Sequence, residues 1–195
     1  MMNWPATVSI SSQLQTAMYS AWNTLQNPMR INDLTRLGLM VAMLEVSKLA
    51  LASVPNIELV SFWVILFTLH MGWRTLYAVY VFVFIEGILF GIHFWWVSYL
   101  YVWTILVILT QIFRSQTSLL FWSILSALFG LIFGALCAIP YGITGMLSGG
   151  LWNGILAGFS WWIAGIPYDL LHCAGNFAIM LVLYKPVQAA AKRIF

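Results

Sequence analysis

Four polar side chains of this 195-residue chain sit inside long hydrophobic runs: Lys48, Glu86, His172 and Asn176. Ionisable groups are costly in such surroundings, so each is a functional candidate by default. Lys48 lies seven residues before Pro55, hence about 10 Å below the end of its helix. Glu86 lies at a similar depth in a later run. His172 and Asn176 lie about 8 and 14 Å into the last helix by the same rise. Asp169, His172 and Asn176 recur at i, i+3 and i+7, within an arc of about 60° on one helix face. A cation, carboxylates, an imidazole and an amide sharing one depth band can bind a polar solute in a cavity. They can equally form an internal ion-pair and hydrogen-bond network. Glu45 stands three residues before Lys48 and either pairs with it or serves helix packing.

Catalysis asks for more than this set offers. His70, His93 and His172 are isolated, with no H-x-x-x-H or H-E-x-x-H run to hold zinc beside a base. No nucleophile–base spacing is visible, so no catalytic residue and no metal ligand is assigned. An intramembrane enzyme using Glu86, Asp169 and His172 stays open as an alternative, as does a structural or channel-type subunit. No G-x-x-x-x-G-K-[ST] run is present, so the chain has no P-loop ATPase site of its own. No cofactor is expected in this chain. Cys137 and Cys173 lack metal spacing and read as small buried side chains. Their places near the outer ends of two helices leave a disulfide open but unsupported.

The elements that must position these groups follow from composition. Hydrophobic residues make up 63% of the chain and charged ones 7%, too little charge to cover a soluble core. The reading is an all-α integral membrane protein. No basic region followed by an apolar run marks a cleavable signal peptide. The basic residues fix an orientation: Arg30, Arg36, Arg74, Arg114, Lys185, Lys192 and Arg193 all fall on one side if the chain crosses six times. The positive-inside rule makes that side cytoplasmic, with both termini in the cytoplasm of a cell-membrane protein. The sequence pI near 9.0 then reflects contact with anionic lipid of the bilayer rather than nucleic acid.

Residues 1–31 form a polar N-terminal segment in which Leu14, Met18, Trp22 and Leu25 recur at helical spacing. Residues 10–26 therefore read as an amphipathic surface helix, the alternative being a disordered tail. Residues 32–188 form one six-helix membrane domain, and 189–195 a basic cytoplasmic tail. The spans run 32–53, with Asn32 or Asp33 as N-cap, then 58–72, 74–92, 97–113, 117–139 and 167–185. Gly72-Trp73-Arg74 divides 58–92, which as one helix would be about 50 Å long, too long for a core of about 30 Å. Residues 140–166 hold seven glycines, which weaken a regular helix. They read as a long, partly helical outer segment before the last helix, folded back as a lid or pocket wall. An ordinary seventh span is the alternative.

Five of the eleven Trp residues fall in the outer connections. Trp95, Trp96, Tyr99, Tyr141, Trp152, Trp161, Trp162 and Tyr168 give an interfacial belt or the flat walls of a small-molecule pocket. Small residues recur four apart at Ser126, Gly130, Gly134 and Ala138, at Gly38 and Ala42, and at Gly87 and Gly91. Such stripes allow close helix approach within the chain or against another subunit.

Together these features resemble the substrate-binding S-component of an energy-coupling-factor vitamin importer. The resemblance rests on the length, six spans with inner termini, Gly38-x-x-x-Ala42, Pro55-Asn-Ile-Glu-Leu-Val60, and Trp161-Trp-Ile-Ala-Gly-Ile-Pro-Tyr-Asp-Leu-Leu-His172. Gly stands where the family's docking motif begins with Ala, and the N-terminal stretch is longer than the family leads one to expect. The resemblance implies high-affinity capture of a water-soluble vitamin at the outer face. It also implies a transmembrane coupling subunit and two cytosolic ATPase subunits as partners. Gly38 and Ala42 would face the coupling subunit, and Pro55–Glu58, including Asn56, would gate the pocket. The expected binding set is Lys48, Asn56, Glu58, Glu86, Trp95, Trp96, Tyr99, Trp162, Asp169, His172 and Asn176. Among vitamins the aromatic rim and the glycines favour cobalamin, with pantothenate, pyridoxine- and pyrimidine-type vitamins open.

Overall fold

The computed structural model describes residues 9–54 and 56–194. Residues 1–8, the expected helix stop at Pro55, the Leu25 side chain and Phe195 lie outside the described residues. The described chain is helical, with no strand: α1 (Ile10–Gln26), α2 (Ile31–Ala50), α3 (Val60–Met71), a 3-10 turn over Gly72–Arg74, α4 (Thr75–Phe90), α5 (Phe94–Ile112), α6 (Leu119–Cys137) and α7 (Ile139–Ala191). Among the described residues, three stretches are long and apolar enough to cross a membrane: Val60–Phe90, Phe94–Ile112 and Leu119–Ala191. This is a helical protein with the character of a membrane protein.

Two ion pairs set the helix directions. Asp33 near the start of α2 binds Arg74 just before α4 at 2.6 Å, while Lys48 near the end of α2 binds Glu86 near the end of α4. The two helices therefore run parallel, and α3 returns between them. Gly72 makes the reversal at φ +61°, a conformation that costs a residue with a Cβ. Tyr80 hydrogen-bonds Thr104 and the Trp96 indole donates to the Val83 carbonyl, so α5 is antiparallel to α4. Tyr101 donates to the Leu136 carbonyl, so α6 reverses again. Ser126 faces Asn176 and Gly134 faces Asp169, so the long second arm of α7 runs antiparallel to α6.

The core fills the space between these helices with Met40, Leu44, Phe62, Phe67, Phe82, Trp103, Trp122, Phe129 and Met180, all essentially buried. One end of the bundle collects the basic residues: Arg74 pairs with Asp33, and Arg36 donates to the Ile194 carbonyl at 3.1 Å. Helix α1 docks at this end, where the Trp73 indole donates to the Ala17 carbonyl and Ser20 hydroxyl. Its Leu14, Met18 and Trp22 remain exposed, as an apolar stripe turned to a lipid surface would be.

Two expectations need correction. Neither Asn32 nor Asp33 is the N-cap of α2. Arg30 takes that place, and the Asp33 carboxylate reaches back to accept the Arg30 N–H at 3.1 Å, which satisfies an otherwise orphaned donor. Residues 140–166 are helical rather than partly so, and Pro167 lies inside a helix rather than in its first turn. The only departure from helical geometry there is at Gly149 and Gly150, the latter at φ +82°. Gly142, Gly145, Gly154 and Gly158 do not break the helix; they let two arms touch. A Cβ on Gly154 would come within 2.7 Å of the Gly142 carbonyl, and one on Gly145 within 2.8 Å of the Asn153 carbonyl. The segment is a tight helical hairpin that extends the α6–α7 pair.

Candidate ligand cavity

At the end of the bundle opposite the basic residues, the ends of five helices enclose a cavity of about 830 Å³. Its floor and one wall come from Lys48 and Leu49 of α2 and Glu86 and Phe90 of α4; Trp95 and Tyr99 of α5 and Phe133, Gly134 and Cys137 of α6 complete the inner half. The α7 hairpin supplies the outer half through Tyr141, Trp161, Ala164, Gly165, Tyr168 and Asp169. Tyr141 stacks on Trp161 with centroids 4.7 Å apart and touches Phe94, which ties the hairpin to the start of α5. The volume lies within the usual range for small-molecule sites, as does an apolar lining with few polar groups.

Lys48 is the organising cation. Its ammonium binds Glu86 and lies 4.8 to 5.7 Å from the ring centroids of Phe82, Phe90, Trp95 and Tyr99. Rings at that range attract a cation through their quadrupoles. Glu86 is fully buried; Oε2 meets Lys48, and Oε1 has no hydrogen-bond partner. Glu45 forms no ion pair with Lys48, and neither of its oxygens has a hydrogen-bond partner among the described residues.

On the facing wall, Asp169 Oδ1 accepts the Gly134 N–H at 2.9 Å. This bond is possible because Gly134 has no side chain: a Cβ there would collide with the carboxylate. Asp169 Oδ2 has no partner in hydrogen-bond geometry, and the Trp162 indole lies beside the carboxylate. A neighbouring cavity of about 300 Å³ shares Lys48, Ala52, Asn56, Tyr99 and Phe133, and adds Ile57, Glu58 and His172. There His172 Nε2 stands 3.3 Å from Glu58 Oε1. Ile57 rests against Gly175, so the connection after α2 closes down on α7 beside the cavity.

The expected binding residues divide accordingly. Lys48, Asn56, Glu86, Trp95, Tyr99 and Asp169 line the main cavity, and Glu58 and His172 line its neighbour. Three stand elsewhere. Trp96 turns its indole to the Val83 carbonyl and packs on Gly87. Trp162 lines a groove between the α6 and α7 arms. Asn176 is buried, donating to the Ser126 carbonyl at 3.1 Å. It shares a helix face with Asp169 and His172, and that face meets α6 there instead of open space. Sequence reasoning missed Phe90, Phe133, Gly134 and Gly165. Gly134 stood in a packing stripe, and only its contact with Asp169 reveals that the stripe also shapes the cavity.

The small-residue stripes separate as well. Gly130, Gly134 and Gly87 are used within the chain, against His172, Asp169 and Trp96. Gly38 has no atom within 4 Å of where a Cβ would stand, and Ala42 is exposed, with Leu39 and Val46 beside them. Both cysteines are free, with Cys137 buried at the cavity wall. No group of three metal-ligating side chains occurs among the described residues. No protein family, curated protein or solved structure matches the chain.

Proposed function

We propose that this chain captures a small water-soluble vitamin from the outer side of a cell membrane and delivers it to an ATP-driven importer of the energy-coupling-factor type. The observation that carries the reading is the cavity: about 830 Å³, aromatic-walled, and formed at the end of the bundle farthest from the basic residues. In this reading the basic end is cytoplasmic, both termini lie there, and the alternating helix directions correspond to six crossings. Helix α3, with 12 residues, covers only about 18 Å and crosses together with the connection that precedes it. Labelling of single cysteines placed at Ser148 and Ala190 in intact cells checks the orientation. The expected result is reaction from outside at Ser148 and protection at Ala190; reaction of both from one side rejects it.

The coupling subunit and its two cytosolic ATPases are the implied partners, and the open Gly38/Ala42 face of α2 is where the coupling subunit would dock. Small residues allow the backbone approach that membrane helix association depends on. Gly38→Leu should impair assembly with the coupling subunit while ligand affinity of the isolated chain stays within about twofold, because this face is remote from the cavity. Co-purification and calorimetry on the same variant read the two effects; equal loss of both would place the stripe in folding instead. Cobalamin rests on the aromatic rim and glycine content alone, and the charge of the site favours a different class of ligand.

A further inference from the structure

The charges of this chain are sorted by end. Seven of its eight basic residues gather at or near the end where Arg74 meets Asp33. The other four acidic residues, Glu45, Glu58, Glu86 and Asp169, stand around the opposite end with Lys48 as their only Lys or Arg neighbour. Lys48 is already committed to Glu86. Glu58 stands beside His172 and shares the smaller cavity with Lys48, and Asp169 has one oxygen bonded to a neutral backbone N–H, with only the neutral Trp162 indole beside its carboxylate. With His172 neutral, the two connected cavities carry one cation against three carboxylates; with it protonated, two against three. With the three carboxylates ionised, the sign is negative in both cases. An apolar cleft lined by one sign of charge concentrates counter-ions and favours their entry.

The aromatic lining has the same preference. Ring faces attract cations, and four rings already surround the Lys48 ammonium. Trp161, Tyr141 and Tyr168 continue that lining past Lys48 to Asp169 on the other wall. Among the described residues, Glu86 Oε1 and Asp169 Oδ2, on residues 0% and 3% exposed, lack a partner in hydrogen-bond geometry, the Trp162 indole lying beside the Asp169 carboxylate. Leaving such groups unpaired is costly, and a donor that also brings positive charge would relieve it most.

Resting on the capture reading above, we infer that the cavity selects an organic cation built on an aromatic ring, its charge held between Asp169 and the aromatic walls. Anionic ligands are disfavoured, because the one Lys or Arg they could meet is neutralised by Glu86.

Three probes of nearly equal size and shape test this: nicotinamide benzylated on its ring nitrogen, a pyridinium cation; its neutral isomer benzylated on the amide nitrogen; and a benzyl-substituted benzoate anion. Each is titrated calorimetrically into the purified chain in discs of zwitterionic lipid. The cation should bind at least about tenfold more tightly than the neutral isomer, and the anion most weakly. Asp169→Asn keeps a side-chain oxygen for the Gly134 N–H and should lower the ratio of cation to neutral affinity several-fold. Glu58→Gln, on a different element, should lower it in the same direction and serves if the first variant does not fold. Neutral or anionic probes that bind as tightly as the cation overturn the charge selection while leaving capture intact. Binding of none of the three also overturns it, and a panel of B vitamins then decides separately whether the capture reading survives.

Discussion

Gly165→Phe should abolish ligand capture without unfolding the chain. Gly165 lines the cavity, lies inside a helix at an ordinary backbone conformation, and has no atom within 4 Å of where a Cβ would stand. A phenyl group there enters empty space rather than a packed core, so overpacking costs little, and replacing a helical glycine favours the helix. The ring would compete with any ligand between Trp161 and Asp169. Affinity should fall about 100-fold or more, equivalent to about 2.7 kcal/mol, with the melting temperature unchanged or raised. Calorimetry and thermal unfolding on the same preparation read the two quantities. Unchanged affinity would mean that the ligand site lies elsewhere.

Lys48→Met should destabilise the chain far more than an average substitution. It removes the partner of Glu86, which is fully buried, and an uncompensated buried charge costs about 3–5 kcal/mol. The lower end applies, because the Lys48 side chain keeps 22% exposure. The cation–π contacts with four rings vanish too, while the Met stem retains much of the packing. Adding Glu86→Gln to Lys48→Met should restore most of the lost stability, since it removes the orphaned charge. Thermal melts of the single and double variants in detergent check this. A double variant no more stable than the single one would show that Lys48 acts through packing rather than through Glu86.

The sequence disclosed a good deal of this arrangement, for identifiable reasons. Ionisable residues are rare in apolar runs, so Lys48 and Glu86 stood out, and their equal depth followed from helical rise. That Gly72 would reverse the chain was legible from the length limit on a single helix. That 140–166 folds back as a wall was legible, but its helical form was not: glycine content reads as helix breaking, and only the tertiary approach of Gly142 to Gly154 turns it into close packing. The division of labour among Asp169, His172 and Asn176 was hidden for a related reason. They share one face packed on α6, but Asn176 is enclosed there while Asp169, bonded to Gly134, also lines the cavity, which helical periodicity cannot express. Which small-residue stripe is free also depends on partners that spacing alone does not name.

Capture of a small vitamin in the aromatic cavity is open to a decisive test by native mass spectrometry. The purified chain and its Gly165→Phe variant are each incubated with a panel of B vitamins, and any bound compound is recovered after denaturation. One compound should bind the unaltered chain at one copy, be released chemically intact, and fail to bind Gly165→Phe. Binding of no member of the panel would contradict it, as would equal binding to both chains or recovery of a converted product.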